Sequence, residues 1–292
     1  MESLSELRKI CQTAPNKERG NIYAIVVSRT FSIFITRLLL PTGMTANQAS
    51  VLMIVVGLLA NFLFLFAWRE TFLAGALLLQ LWYILDGVDG EIARYHYYKR
   101  TGTLIRDKRD GGLTGQYLDM INHYIINFLV PATLSFGLYH QTGHSFWILI
   151  GFVASLTQVL MLAMHDARSR AQLTMLKRFS FAVISGQGKE NPPQASKKRS
   201  VPHRIFMILH NTLTYPSVMN YAGIAAILDF LTPSFEWRVP LLFYWAFGTL
   251  TVITTLVSRA VTQQLIEEEF RQTFRVADQW QDLQEAPAER VK

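Results

Sequence analysis

The chain has one cysteine, Cys11, in 292 residues. That excludes a disulfide framework and any cysteine-based metal site. Residues 1–21 lack the apolar core of a signal peptide, so no cleaved secretory signal is expected. No internal repeat is visible, nor a stretch long and polar enough for a sizeable soluble domain. Basic residues are nearly missing from alternate connections between the apolar runs: Arg69 stands in one, none in 139–145, and Arg238 near the last.

Hydrocarbon side chains fill the space. Half the residues are hydrophobic and mean hydropathy is +0.20, too apolar for an ordinary soluble domain. Several runs approach the ~20 residues that cross a bilayer. Net charge is +7 and the pI about 9.5. The basic residues flank apolar runs, which points to anionic lipid and the positive-inside rule, not to nucleic acid.

The pattern predicts an all-α, polytopic membrane helix bundle. Residues 1–21 form a polar lead-in, 22–260 the membrane domain and 261–292 a polar tail. Within the domain, 22–40 carries Arg29 and Arg37 eight apart on nearly one face, an amphipathic helix lying at the interface. Pro41-Thr-Gly-Met-Thr45 breaks it and offers Thr45 or Asn47 as an N-cap. About six spans follow, at 47–67, 71–94, 115–138, 146–164, 217–231 and 238–258; the fifth is short and contains Asp229. Arg94, Lys99, Arg100, Arg106, Lys108 and Arg109 follow the second span, and a longer basic stretch, 168–204, follows the fourth. The alternation places both termini and the basic loops in the cytoplasm, in a multi-pass protein of the plasma (inner) membrane. Residues 185–200 read as a flexible loop.

Polar chemistry concentrates at two helix ends. The apolar run 72–85 passes directly into Asp86-Gly-Val-Asp89-Gly90-Glu91-Ile-Ala93-Arg94. The third span opens Gly115-Gln-Tyr-Leu-Asp119-Met-Ile-Asn-His123. Asp86 and Asp89 are three apart, and Asp119 and His123 four apart, so each pair shares a helix face. Ionised carboxylates at the end of a membrane helix are costly and mark a functional site. A divalent cation holds such a cluster together, and carboxylates with an imidazole suit a hard ion, one or two in number. Paired metals serve phosphoryl transfer. Gly90, Ala93 and Gly115 let a bulky ligand approach the backbone, and Arg94 can hold a phosphate.

The string resembles the signature of the CDP-alcohol phosphatidyltransferase family, D-x2-D-G-x2-A-R followed by G-x3-D-x3-D. Asp86, Asp89, Gly90, Ala93, Arg94, Gly115 and Asp119 occupy seven of its eight positions. Thr45-Ala-Asn47-Gln48 is similar to the T-P-N-Q turn that precedes the first span in that family. The resemblance implies that a phosphate-linked alcohol passes from a CDP-linked donor, CDP-diacylglycerol or a CDP-linked small alcohol, to an acceptor alcohol with release of CMP. By the same resemblance Asp86, Asp89 and Asp119 bind Mg²⁺ or Mn²⁺, while Gly90, Ala93, Arg94 and Gly115 line the cytidine diphosphate pocket. Asn47 reaches the nucleotide, Arg168 offers a substrate-phosphate contact, and the protein is a homodimer among membrane lipid.

Two departures stand out. Twenty residues separate Arg94 from Gly115, where the family's spacer is about eight, and the last aspartate is His123. His123 is open to three readings: base for the acceptor hydroxyl, ligand tuning a softer ion, or a mark of weakened catalysis. Two other classes compete. One is a non-catalytic membrane protein that keeps the metal site; the other is an ion transporter, which the absence of a polar path through the remaining spans disfavours.

Overall fold

The computed structural model describes residues 2–12, 27–104, 113–177, 181–184, 210–213, 217–263, 266–267, 270 and 274–277. The expected 185–200 loop, much of the basic insertion and most of the tail lie outside them.

Helix α1 spans Leu4–Cys11 and α2 Arg29–Leu39; α3 is Ala46–Phe64, α4 Arg69–Thr101, α5 Leu113–Thr142 and α6 Phe146–Leu176. After a short strand β1, Phe181–Ile184, come α7, Ser217–Leu231, and α8, Arg238–Phe243. A π-helical turn, Tyr244–Gly248, links α8 to α9, Thr249–Gln263, and β2, Phe274–Ala277, pairs antiparallel with β1. Apart from this two-stranded ribbon the described residues are helices and their connections.

Each expected span has its helix, and four are long and apolar enough to cross a membrane: Ala46–Phe64, Arg69–Thr101, Phe146–Leu176 and Arg238–Thr262. Ser217–Leu231 is apolar but short. The surface bears out a lipid environment. Val51, Val55, Leu58 and Phe62 of α3 face outward, as do Leu149, Phe152, Leu156 and Leu160 of α6. Polar Asn61, Asn122, Asn127, Ser155 and Gln158 are buried instead. That departs from a soluble bundle: lipid tails solvate leucine, while Asn61, Asn127 and Gln158 donate to interior partners.

Two helices outrun their expected ends. The second span continues past residue 94 to Thr101, where Gly102 at φ +68° takes the left-handed cap and its N–H donates to the Tyr98 carbonyl at 2.8 Å. A side chain at that φ is strained, so glycine stops the helix there. The fourth span continues past 164 to Leu176, so Arg168 and Arg170 stand on a helix, not in a loop. Hydropathy fades at the membrane edge, while the backbone ladder runs on into water.

The lead-in also folds. Ser3 and Glu6 form a reciprocal capping box. Leu7, Ile10 and Cys11 are buried in a small cluster with Ile33, backed by Tyr95 and Tyr98 of the α4 extension. At its start Glu2 meets Lys99 and Tyr95, and the Lys99 ammonium followed by the Tyr95 hydroxyl holds the Glu2 carboxyl down at about 2.

α2 is amphipathic, but its polar stripe faces the protein. Ser32 and Thr36 are buried against α4, while Phe31, Phe34 and Leu38 are exposed. Both hydroxyls donate at 2.6 Å to Glu91, and Gln12 donates to the same carboxylate at 2.7 Å. Glu91 is therefore a buried, fully engaged anchor for α1 and α2.

Candidate metal centre and cleft

The centre is built where α3, α4 and α5 meet. α3 starts with a second capping box: the Thr45 hydroxyl accepts from the Gln48 N–H at 3.3 Å and the Gln48 side chain accepts from the Thr45 N–H at 2.9 Å. Gly57 lets α3 approach its neighbours. A Cβ there would come within 2.6 Å of Ile126 on α5 and 2.9 Å of Trp82 on α4. This close approach sets the distance between the two acidic helix ends.

Asp86, Asp119 and His123 converge. His123 Nε2 lies 3.2 Å from Asp86 Oδ1 and 3.1 Å from Asp119 Oδ1. One donor atom from each of the three falls within 4.8 Å of the others. Nε2 faces both carboxylates, while Asp119 Oδ1 is buried with no hydrogen bond of its own. The trio is half-buried, open enough for an ion to enter. Two carboxylates and an imidazole fit a divalent cation of the Mg²⁺, Mn²⁺ or Zn²⁺ kind.

Asp89 takes another course. Its carboxylate accepts the Ser50 hydroxyl at 2.7 Å and the Gly90 N–H at 2.5 Å. It is not among the converging donors, yet it remains within electrostatic reach of Asp86 and Asp119. Ser50 went unnoticed in the sequence. Its signal was the spacing: it stands three residues after Asn47, on the same α3 face.

The small residues and their neighbours fall around this centre. A Cβ on Gly115 would lie 3.8 Å from Asn47 Oδ1, so the α3 and α5 starts face each other across the cleft. A Cβ on Gly90 would meet the Arg94 guanidinium at 3.0 Å, and Ala93 is half-buried beside it. Arg94 folds back along α4, and its Nε donates to the Cys11 carbonyl at 2.5 Å. Arg168 is half-buried on α6, two residues past Asp166. Asp166 accepts the Tyr124 hydroxyl at 2.7 Å, and Tyr124 follows His123.

Behind the centre, the Trp82 ring stands edge-on to His123 with centroids 5.4 Å apart. Its indole N–H donates to Asn122 Oδ1 at 3.2 Å. Trp82 and Asn122 are both fully buried, so they form a rigid floor for the imidazole.

No protein-family model matches the chain, and no curated protein matches it. Among solved structures, the crystal structure of Mycobacterium tuberculosis phosphatidylinositol phosphate synthase with CDP-DAG bound aligns over 80% of this chain and 93% of that one. The identity is 20% and the TM-score 0.49, and at that depth neither fold nor chemistry carries over from it.

Proposed function

We propose that this membrane protein is a metal-dependent transferase of the CDP-alcohol phosphatidyltransferase type. It would move a phosphate-linked alcohol from a CDP-linked donor, CDP-diacylglycerol being the one that suits a membrane site, to an acceptor alcohol and release CMP. One observation carries the reading: Asp86, Asp119 and His123, drawn from two separate stretches of the eight-position signature, bring their donor atoms within 4.8 Å of one another.

Asp86 and Asp119 would hold the ion, with Asp89 adjoining and the His123 imidazole beside it, left for the proton. A bound Mg²⁺ or Mn²⁺ would neutralise phosphate charge and polarise its oxygens. The chain's own residues do the rest. Gly90 and Gly115 leave room for the nucleotide, with Asn47 across from Gly115. Ser50 and the Gly90 N–H fix the Asp89 carboxylate. Trp82 and Asn122 hold the His123 ring in place. His123, once its Nε2 has given up its proton, can take the proton of the acceptor hydroxyl as that oxygen attacks the donor's β-phosphate. The active site and both termini would face the cytoplasm of a plasma-membrane homodimer.

A second reading is favoured by His123 itself. It stands at the position of the signature's last aspartate and occupies the space between the remaining carboxylates. A protein that binds metal and a CDP-linked ligand without turnover would look the same.

The deciding assay is CMP release by purified, detergent-solubilised protein. It uses a panel of CDP-linked donors and acceptors with Mg²⁺, Mn²⁺ or EDTA, beside Asp89→Asn. Metal-dependent release lost in the variant is the expected result. Binding of metal and donor with no release from any pair selects the second reading.

A further inference from the structure

The two glycines of the cleft are not equally open. A Cβ on Gly115 would still stand 3.8 Å from Asn47 Oδ1, an ordinary contact. A Cβ on Gly90 would meet the Arg94 guanidinium three times over: Nη1 at 3.0 Å, Nη2 at 3.4 Å and the central carbon at 3.6 Å. Helical side chains lean back toward the N-terminus, so a residue four further on covers the one before it. Arg94 therefore lies across the backbone of Gly90. A ligand that needs that backbone must first move Arg94.

The end of α1 holds Arg94 there. Its Nε donates to the carbonyl of Cys11 at 2.5 Å. Cys11 is the last residue of α1, where a helix leaves its carbonyls without a partner of its own and favours a cation. Gln12, the next residue, donates to Glu91 and to the Arg29 carbonyl, both at 2.7 Å. Glu91 and Arg94 stand three apart on α4, so one face of that helix receives both contacts.

The rest of the docking is light. Leu7, Ile10 and Cys11 seat α1 against Ile33, and Glu2 meets Lys99 and Tyr95 at its start. Ser5, Glu6, Arg8 and Lys9 are exposed on the other side. A helix of eight residues is marginal by itself, and a segment with few buried contacts opens locally before the rest of the fold. It precedes the membrane domain, so it can leave without moving a span.

We infer that α1 is a latch on the Gly90 side of the cleft. Docked, it keeps Arg94 across Gly90; released, it lets the guanidinium swing clear and the CDP-linked donor reach the Gly90 backbone. The ligand's identity rests on the transferase reading. Docking and donor exclude each other, so whatever eases release tightens donor binding by the same factor.

Cys11 is the chain's one cysteine and is fully buried while α1 is docked, which makes its thiol the reporter. Full-length protein is placed in phosphatidylcholine nanodiscs with Mg²⁺ and no acceptor alcohol, and CDP-diacylglycerol is titrated in. Labelling of Cys11 by a water-soluble maleimide is followed, and affinity is read from the thermal shift. Donor should speed wild-type labelling about tenfold, within the usual range of coupling between two sites. Leu7→Ala takes a buried side chain from the latch and nothing from the cleft. Without donor it should label about thirtyfold faster, the low end of what losing a buried leucine costs, and it should bind donor tighter by the same factor. A helix with a merely structural role would loosen with no gain in affinity. Wild-type or weaker affinity in Leu7→Ala overturns the inference, and so does donor binding that leaves wild-type labelling unchanged; CMP release would keep the transferase reading standing in both cases. No donor binding by either protein, with no CMP release from any pair, removes that reading and the latch with it. Where Leu7→Ala folds poorly, Gln12→Ala replaces it with the same two readouts, each expected to move about tenfold, the share of a hydrogen bond to a charged group.

Discussion

The start and the middle of helix α4 treat buried charge in opposite ways. At its start, charge is cancelled. Arg238, 1% exposed, donates to Glu236 at 2.5 and 2.7 Å, to Gln141 at 2.9 Å and to the Ala67 carbonyl at 3.1 Å. Arg69 donates to the carbonyls of Asp229, Thr232 and Pro233 and pairs with the buried Asp229 carboxylate. Near its middle, Asp86 and Asp119 share a single imidazole, and Arg94, two turns past Asp86, turns away to the Cys11 carbonyl. The start is a structural lock that ties α4, α5, α7 and α8 together. The middle keeps an excess of carboxylate that a ligand can complete.

Substitutions that separate stability from activity test this contrast most sharply. His123→Ala should lower CMP release on the order of 10²–10⁴-fold, the usual share of a general base, while donor binding stays nearly intact. Unchanged turnover would retire His123 as the base. Arg238→Ala should do the opposite. Leaving Glu236 and Gln141 without their partner costs about 3–5 kcal/mol of stability, read by thermal unfolding in detergent, with activity per folded molecule unaltered. A fall in specific activity would show that the two regions are coupled.

Gly57→Ala probes the seam between the two behaviours. The added methyl must displace Ile126 and Trp82, at about 1–3 kcal/mol for overpacking. Since Trp82 backs the His123 ring, turnover should fall along with stability. Ser50→Ala removes the hydroxyl that steadies Asp89 and should weaken metal affinity about 10–100-fold, as loss of an outer partner does. Isothermal titration with Mn²⁺ reads this, and wild-type affinity would place Asp89 outside the metal site. The smallest effect concerns Glu2. Its carboxyl is held down at about 2 by Lys99 and Tyr95. Docking of α1 through that contact is therefore complete above the ordinary carboxyl range and lost only as pH falls toward 2. Proteolysis near Cys11 should accordingly be flat from pH 7 to about 5.5 and climb only below that, and a rise across the flat interval would remove Glu2 from the latch.

Much of this was legible in the chain. The spacing of Asp86 from Asp89, and of Asp119 from His123, set the helix faces, and each apolar run located a helix, four of them long and apolar enough to cross a membrane. Three things escaped for physical reasons. Glu91 reads as an ordinary polar residue after Gly90, because its partners Gln12, Ser32 and Thr36 are dozens of residues away. Arg238 looked like a loop charge, and only tertiary contacts bury it. The ends of α4 and α6 were set too early because hydropathy reports the membrane boundary, not the end of the hydrogen-bond ladder. Asp89 remains where sequence and geometry differ most: the signature groups it with Asp86, while Ser50 and Gly90 hold its carboxylate.

The length of α4 has one more consequence. Its 33 residues make a rod of about 50 Å at 1.5 Å per residue, against hydrocarbon about 30 Å thick. Measured from Arg69, Asp86 stands about 26 Å along and Asp89 about 30 Å. The remaining turns stand in water as a post on which α1 rests. Oil and water thus meet at the level of the carboxylates, so a molecule that never leaves the bilayer and one that never enters it can touch there without either changing phase.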